Sequence, residues 1–405
     1  MSLGLLAFLA ISAGASEAVP AGTQSAEAAE QSVDLGSVSV SAAGSWGEEP
    51  LSEAEGEQAE GVNGAEGLEA EAIGGVEKLA RTHYVFHFDN DLFSPPTTDR
   101  DYTFGVALLA TSKDPERLPF SLAGWLPAAN REREGPKGYV DEAHGVEVGV
   151  IAFTPDDIRV RLPPVGERPF ASLVYVGHSR HRLSADRKRM DAVSLTLGAL
   201  GLDLAEELQE EVHFLIDYDQ PEGWDSQISS GGEPTAMLAY DRRFLLVDAP
   251  AGPNSKVQLA RSFGVSLGYL SEASLGWSGR IGRFGDSRWW EFSFSGPSGY
   301  GVRAIQGERA EKPAPKRAAY VFGEFRLRAR FYNAFLQGQF RDSPLTYNRS
   351  ELREMLGEIT AGFVVELPHR WSVSYVIRVQ TSEIAQGEAD RISTWGSLVV
   401  TRAFR

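Results

Sequence analysis

One twelve-residue run limits the architectures open to this 405-residue chain more than any other. Residues 321–332, VFGEFRLRARFY, alternate strictly: Val321, Phe325, Leu327 and Phe331 fall on one face, Glu324, Arg326, Arg328 and Arg330 on the other. Side chains of a β-strand point to opposite faces with a period of two. A soluble sandwich also alternates, but it would not line its buried face with four successive charges. A transmembrane barrel does, with lipid outside and a polar lumen inside.

The same period recurs along the chain. Residues 83–91 put Tyr84, Phe86 and Phe88 on one face. Residues 101–111 put Tyr102, Phe104, Val106 and Leu108 on one face, with Thr103, Gly105 and Thr111 on the other. Val193, Leu195 and Leu197 alternate with Ser194, Thr196 and Gly198, and Trp371, Val373, Tyr375 and Ile377 with Ser372, Ser374 and Arg378. Twelve strands are expected, near 82–91, 101–113, 144–154, 169–183, 190–200, 234–247, 256–270, 274–284, 318–333, 353–367, 370–384 and 393–404. The fold class is therefore all-β, an antiparallel up-and-down transmembrane barrel. Its last strand carries Phe404 one residue from the end, near where bacterial outer-membrane barrels place an aromatic.

Turn lengths sort the connections into two rims. The short polar turns 184–188, 248–255 and 368–369 read as periplasmic, and the longer 92–100, 155–168, 201–233, 334–352 and 385–392 as external. Residues 114–143 and 285–317 break the rule by being long on the periplasmic side. Asn90, Asp91, Thr103, Thr154, Arg168 and the 201–233 connection then share the outer end.

That connection holds the one helical pattern. Within 202–227, Asp203 and Glu206 have capping-box spacing. Leu204, Leu208, Val212 and Leu215 make an apolar stripe, expected to dock on the barrel. Ala205, Gln209, His213 and Ile216 make the adjacent stripe, placing Gln209 and His213 one turn apart at the edge of the contact.

Charge separates the ends of the chain. The net charge is −17, yet no Lys or Arg precedes Lys78, and 14 acids lie before it. The remainder carries 42 acids against 39 bases, which offers no nucleic-acid surface. Residues 1–18 read as a signal peptide without a basic n-region. Residues 19–80, rich in Ala, Glu, Gly and Ser, read as a disordered acidic linker, and 81–405 as the barrel. With no Cys, disulfides and thiol catalysis are excluded, and no apolar run is long enough for a transmembrane helix.

At the outer rim, Asn90 and Asp91 offer oxygen ligands of the kind a hard cation such as Ca²⁺ takes. His213 is the residue able to act as a general base near neutral pH. No Gly-x-Ser-x-Gly elbow occurs and no Ser lies on the helix, which favours a water nucleophile. His178 and His181, three apart in one strand, fall on opposite faces and do not form a shared metal site.

The segments FDNDLF, DRDYTFGV, FTPDDI, ERPFASLVYVG, the Gln-x-x-x-His helix with GWDSQI, FLQGQFRDSP and RVQTSEI occur in one order, and in it they resemble the LpxR-like lipid A 3′-O-deacylases. The resemblance runs from about residue 83 to the C-terminus. It implies a twelve-stranded outer-membrane enzyme that hydrolyses the 3′-linked acyloxyacyl ester of lipid A in the outer leaflet with Ca²⁺. It also implies His213 as the base activating water, Gln209 as its neighbour, Thr103 from the DYT motif as a site residue, and Asn90 with Asp91 as the cation site. Asp219 is the residue nearest in spacing to the acidic group such enzymes carry after the histidine. They also use a lysine near strands three and four. No Lys occurs from Tyr139 through Asp186 here, leaving Arg159, Arg161 or Arg168 for that role. A non-catalytic barrel, pore or structural, and a phospholipid hydrolase are the competing readings.

Overall fold

A computed structural model describes residues 82–94, 100–127, 138–284 and 318–404. The expected signal peptide and acidic linker lie outside the described residues. Twelve antiparallel strands among them close into a barrel in sequence order, with β1 paired to β12. They are β1 (Thr82–Asn90), β2 (Asp101–Ser112), β3 (Tyr139–Thr154), β4 (Ala171–Ser184), β5 (Arg189–Leu200) and β6 (Glu233–Gly252), followed by β7 (Ser255–Gly268), β8 (Leu270–Arg283), β9 (Ala319–Asn333), β10 (Met355–Glu366), β11 (Trp371–Gln380) and β12 (Ser393–Phe404). Helix α1 spans Leu204–Ile216 between β5 and β6, and the single turn α2, Ala334–Gln337, follows β9. No helix among the described residues is long and apolar enough to cross a membrane.

The alternation of β9 is realised as read. Val321, Phe325, Leu327 and Phe331 are exposed on the outer wall, while Glu324, Arg326, Arg328 and Arg330 are buried inside. The inward guanidiniums find carboxylates on neighbouring strands. Arg328 pairs with Glu272 of β8 and with Glu358 of β10 at 3.1 Å. Arg330 reaches Glu272 at 2.8 Å and also Glu383. Arg326 holds Glu324 at 2.6 Å and lies 3.5 Å from Asp241 of β6. Arg243, Arg328 and Arg378 each retain only 1% of their surface. A water-lined channel would leave such groups wet, so this lumen is packed. Towards the rim that bears α1, Tyr102, Phe153, Tyr269, Phe335 and Trp395 form an apolar cluster inside the barrel.

Strand β2 departs from the expected alternation. The β2–β3 register slips between Tyr102 and Phe104, a β-bulge that takes in Thr103. Tyr102 consequently faces the lumen, where its hydroxyl donates to Asp89 at 2.9 Å, and Phe104 faces out. Gly105 returns to the lumen face: a Cβ there would lie 2.2 Å from the Tyr102 hydroxyl, so only glycine fits. An extra residue in one strand shifts every side chain before it to the opposite face. The bulge turns Thr103 to the outer side, beside Thr154.

Candidate active site on the outer wall

The site is assembled at the rim bearing α1, on the outside of β2, β3 and β4. Asn90 ends β1, and its side chain accepts the Leu92 N–H at 2.8 Å. Asp91 follows in a 3₁₀ turn, is 1% exposed, and accepts the Arg100 N–H at 2.6 Å. The Asp91 carbonyl accepts from the Ser94 N–H at 3.0 Å and hydroxyl at 2.8 Å. Arg100 pairs through its guanidinium with Asp156 at 3.0 Å, tying the first connection to the one after β3. Thr103 and Thr154 share a hydroxyl hydrogen bond of 2.7 Å, both buried.

Helix α1 lies against β3 and β4 with its polar stripe inward. Ala205, Gln209 and His213 are buried, whereas Leu204, Phe214 and Leu215 are 39%, 79% and 49% exposed. The docked face is therefore centred on the Ala205, Gln209 and His213 stripe, with Leu208 of the leucine stripe packed at its edge and Leu204 and Leu215 left outside. Ala205 packs in one cluster with Phe104, Val150, Ala152, Ile158, Phe170 and Trp224, and a small side chain there lets the helix approach closely. The two inward polar groups have designated partners, which removes the main cost of burying them. Gln209 Oε1 accepts the indole N–H of the fully buried Trp224 at 2.9 Å. His213 Nδ1 meets the Asp219 main-chain oxygen at 2.5 Å.

The expected cap is also replaced. Asp203 sits at the helix start with helical backbone angles and no side-chain cap bond. The first turn carries Glu206 and Glu207 instead. Asp217 closes the helix in the left-handed region, φ 56°, and the Tyr218 N–H reaches the His213 carbonyl at 2.9 Å. This sharp reversal brings Tyr218 edge-on to the His213 ring at 5.0 Å and carries Asp219 to Nδ1.

The GWDSQI turn is a wedge between the helix and the wall. Gly223 has no room for a side chain, since a Cβ would come within 2.2 Å of Phe170 and 2.4 Å of the Val160 carbonyl. The Trp224 ring packs against that of Phe170 at 5.2 Å, tilted by 59°, Gln227 accepts the Ser172 hydroxyl at 2.8 Å, and the Ile228 N–H donates to the Phe170 carbonyl at 2.8 Å.

Of the three arginines considered beside the site, Arg168 points away from it. It is buried between Asp101, 3.5 Å away, and Glu383, with its guanidinium 5.0 Å above the lumen-facing Phe153 ring. Arg161 is almost fully exposed. Arg159 is held by Asp157 at 3.0 Å and lies 3.6 Å from the Asp219 carboxylate, which places it beside the His213 loop. That hydrogen bond from Arg159 keeps the Asp157 carboxyl below its usual range.

Two features escaped the sequence reading. Asp101 starts β2 with φ 66° and accepts from Nε and Nη2 of Arg391 at 3.1 Å each; Arg391 also holds Glu167 at 2.7 Å. Burial would lower the Arg391 pKa, yet Glu167 and Asp101 raise it above the usual guanidinium value. Arg391 and Asp101 are 290 residues apart, and nothing local announces the pair. The Trp224–Gln209 bond was the second, although the Pro-Glu-Gly-Trp turn beside the helix was its visible sign. Among the described residues no group of three or more His, Cys, Asp or Glu side chains is arranged to hold a metal ion.

Comparison with known proteins matches residues 65–404 to the family described as outer membrane protein LpxR. The chain belongs to the LpxR family. Among solved structures, LpxR from Salmonella typhimurium is similar at TM-score 0.59 and 16% identity, covering 79% of this chain and 99% of that one. The β domain of the Bordetella autotransporter BrkA aligns at TM-score 0.37 and 8% identity, over 80% of this chain and 98% of that one. No curated protein matches. LpxR membership and the closed barrel make this an outer-membrane protein, and membership in the family implies lipid A deacylase activity in general terms.

Proposed function

We propose that this LpxR-family chain is a calcium-dependent esterase that removes the 3′-linked acyloxyacyl group of lipid A, with His213 activating a water. The supporting observation is the docked face of α1, which turns Gln209 and His213 onto the outer wall. The tautomer follows from the partner at Nδ1. A carbonyl oxygen only accepts, so Nδ1 carries the proton and Nε2 keeps the lone pair of a general base. Nε2 takes a proton from water as its oxygen bonds to the ester carbonyl carbon. The carbon–oxygen bond to the sugar then breaks, and the same proton passes to the departing sugar hydroxyl.

Gln209 is oriented by Trp224 with its carbonyl end occupied, which leaves the amide NH₂ as its donor end. Thr103 contributes a hydroxyl from the bulge, fixed by Thr154. Arg159 is the best placed of the three arginines to meet an anionic part of the substrate. For the cation, Asn90 and Asp91 supply oxygen donors only, which fits Ca²⁺ in kind, with water or substrate oxygens needed for the rest of its six to eight ligands. A Ca²⁺ ion bound there would polarise the ester carbonyl. The rim bearing α1 is assigned to the cell exterior, which sets the site at the depth of lipid A esters in the outer leaflet and the N-terminus and short turns in the periplasm.

Mass spectrometry of lipid A from outer membranes containing the wild-type protein, His213→Ala or Asp91→Ala, with Ca²⁺ supplied, tests this. The wild type should remove one acyloxyacyl mass, and loss of the base should slow that by about 10²–10⁴-fold. Unchanged lipid A with a correctly folded wild-type barrel would overturn the reading. Release of fatty acid from purified phospholipid but not from lipid A would move the activity to a phospholipid hydrolase.

A further inference from the structure

At the rim opposite α1, the outer wall carries a second organised surface. Glu142, Arg182, Asp191 and Arg242 are register partners on successive strands β3 to β6. They share the outward parity of the exposed Val148, Leu238 and Leu246. Asp191 is the hub: it accepts from the Tyr139 and Tyr240 hydroxyls at 2.7 Å each, from Arg242 at 2.5 Å and from Arg189 at 3.1 Å. The cations sit over aromatic rings. Arg182 and Arg189 sit 5.4 and 5.5 Å from the Tyr139 centroid, Arg242 5.6 Å from Tyr240, and Arg261 5.1 Å from Phe244.

Such side chains cost about 2–4 kcal/mol at the midplane of a bilayer and little near its surface, so this row marks where the hydrocarbon band ends. Cations outnumber anions there: Arg180, Arg182, Arg189, Arg242 and Arg261 with the turn residues Arg187 and Lys188 face Glu142, Asp186 and Asp191. Beside the row, Arg180 donates to the Pro127 carbonyl at 2.8 Å, anchoring a segment whose Trp125 is 70% exposed. Tryptophan favours the membrane–water boundary.

We propose that this arginine and tyrosine row is a seat for the phosphate headgroups of anionic phospholipid in the leaflet at the turn rim. With the orientation given under Proposed function, that is the periplasmic leaflet. Guanidiniums bind phosphate oxygens through paired N–H groups, and their fixed position over the rings matches the headgroup level.

The full-length protein in detergent is titrated with phosphatidylglycerol, phosphatidylcholine or purified lipid A, and retained lipid is read by native mass spectrometry. Phosphatidylglycerol should be retained over phosphatidylcholine, and less so at high salt. The triple variant Arg182→Gln/Arg242→Gln/Arg261→Gln should weaken retention by about fivefold per charge. Asp191→Asn, which removes an opposing charge, should strengthen it and decides the matter if the triple variant fails to fold. Equal retention of the two phospholipids, indifference to both variants, or displacement of phosphatidylglycerol by lipid A would overturn the assignment. His213→Ala should bind phosphatidylglycerol as the wild type does, so failure of the hydrolytic reading and failure of this one are read separately.

Discussion

The two ends of the β3–β6 wall are opposites in charge. Residues 201–232, which hold α1 and the GWDSQI turn, contain nine acids and no Lys or Arg. The other end is an arginine row supported by Tyr139 and Tyr240. Their construction differs as well. The row is built by strand register alone, from side chains directly opposite one another on a sheet. The helix end is built by a connection folded back onto the wall and held by a few polar contacts: Trp224 to Gln209 and Asp219 to His213 within the connection, and Arg391 to Asp101 across the chain. A surface made by register survives loss of one member, whereas a surface made by folded-back loops depends on a few buried polar bonds.

The most severe way to break the helix end without touching it is Arg391→Ala. This takes the guanidinium fork from the buried Asp101 and Glu167 carboxylates, leaving Asp101 with Arg168 at 3.5 Å and Glu167 with the Arg168 N–H at 2.7 Å. Breaking a buried ion pair costs about 3–5 kcal/mol, and the remaining partners set this loss at the lower end. The barrel should convert to its unfolded electrophoretic form at a clearly lower temperature, and lipid A deacylation should fall with it. Retained activity at full thermal stability would show that Thr103 is positioned without the ion cluster.

A smaller and cleaner effect is expected from Trp224→Phe. It keeps the ring in the Phe170 cluster but deletes the N–H that orients Gln209. The loss of one neutral hydrogen bond is about 0.5–1.5 kcal/mol. The deacylation rate should drop while the barrel's unfolding temperature stays close to that of the wild type. Equal loss of both would make the wedge purely structural.

The smallest effect concerns Glu206 on α1. Burial, then Glu210, Asp225, Asp203 and Glu207, raise its pKa above 4.5. A raised carboxyl pKa means that the folded state binds the proton more tightly, so helix docking is strongest at low pH and weakens as pH rises through the folded pKa. Glu206→Gln should slow hydrogen exchange of the α1 amides at neutral pH and flatten its dependence on pH, after correction for intrinsic rates. Faster exchange in the variant at neutral pH would reverse the sign and remove the acidic repulsion as a factor.

These residues also separate what could be read early from what could not. Strand number and the facing of β9 were legible because alternation is a local property, and four charges on one face admit few environments. The candidate residues Asn90, Asp91, Thr103, Gln209 and His213 could be brought to one rim by counting strands. The side from which they are reached could not. α1 has two adjacent stripes, and hydrophobicity alone favours Leu204, Leu208, Val212 and Leu215; Ala205, Gln209 and His213 win because Trp224 and the Asp219 carbonyl satisfy the polar groups once the turn is in place.

By itself, then, the sequence determined a closed twelve-stranded barrel with charged residues inside and apolar ones outside, since period-two patterning needs no knowledge of partners. Only the tertiary structure decided the bulge at Thr103, the inward turn of Arg168 and the face that α1 presents. Arg168 is drawn in by Glu383, 215 residues away, and α1 is set by a turn whose Trp224 and Asp219 lie 15 and six residues from their partners; a periodic pattern does not encode which of two nearly equivalent choices such bonds select.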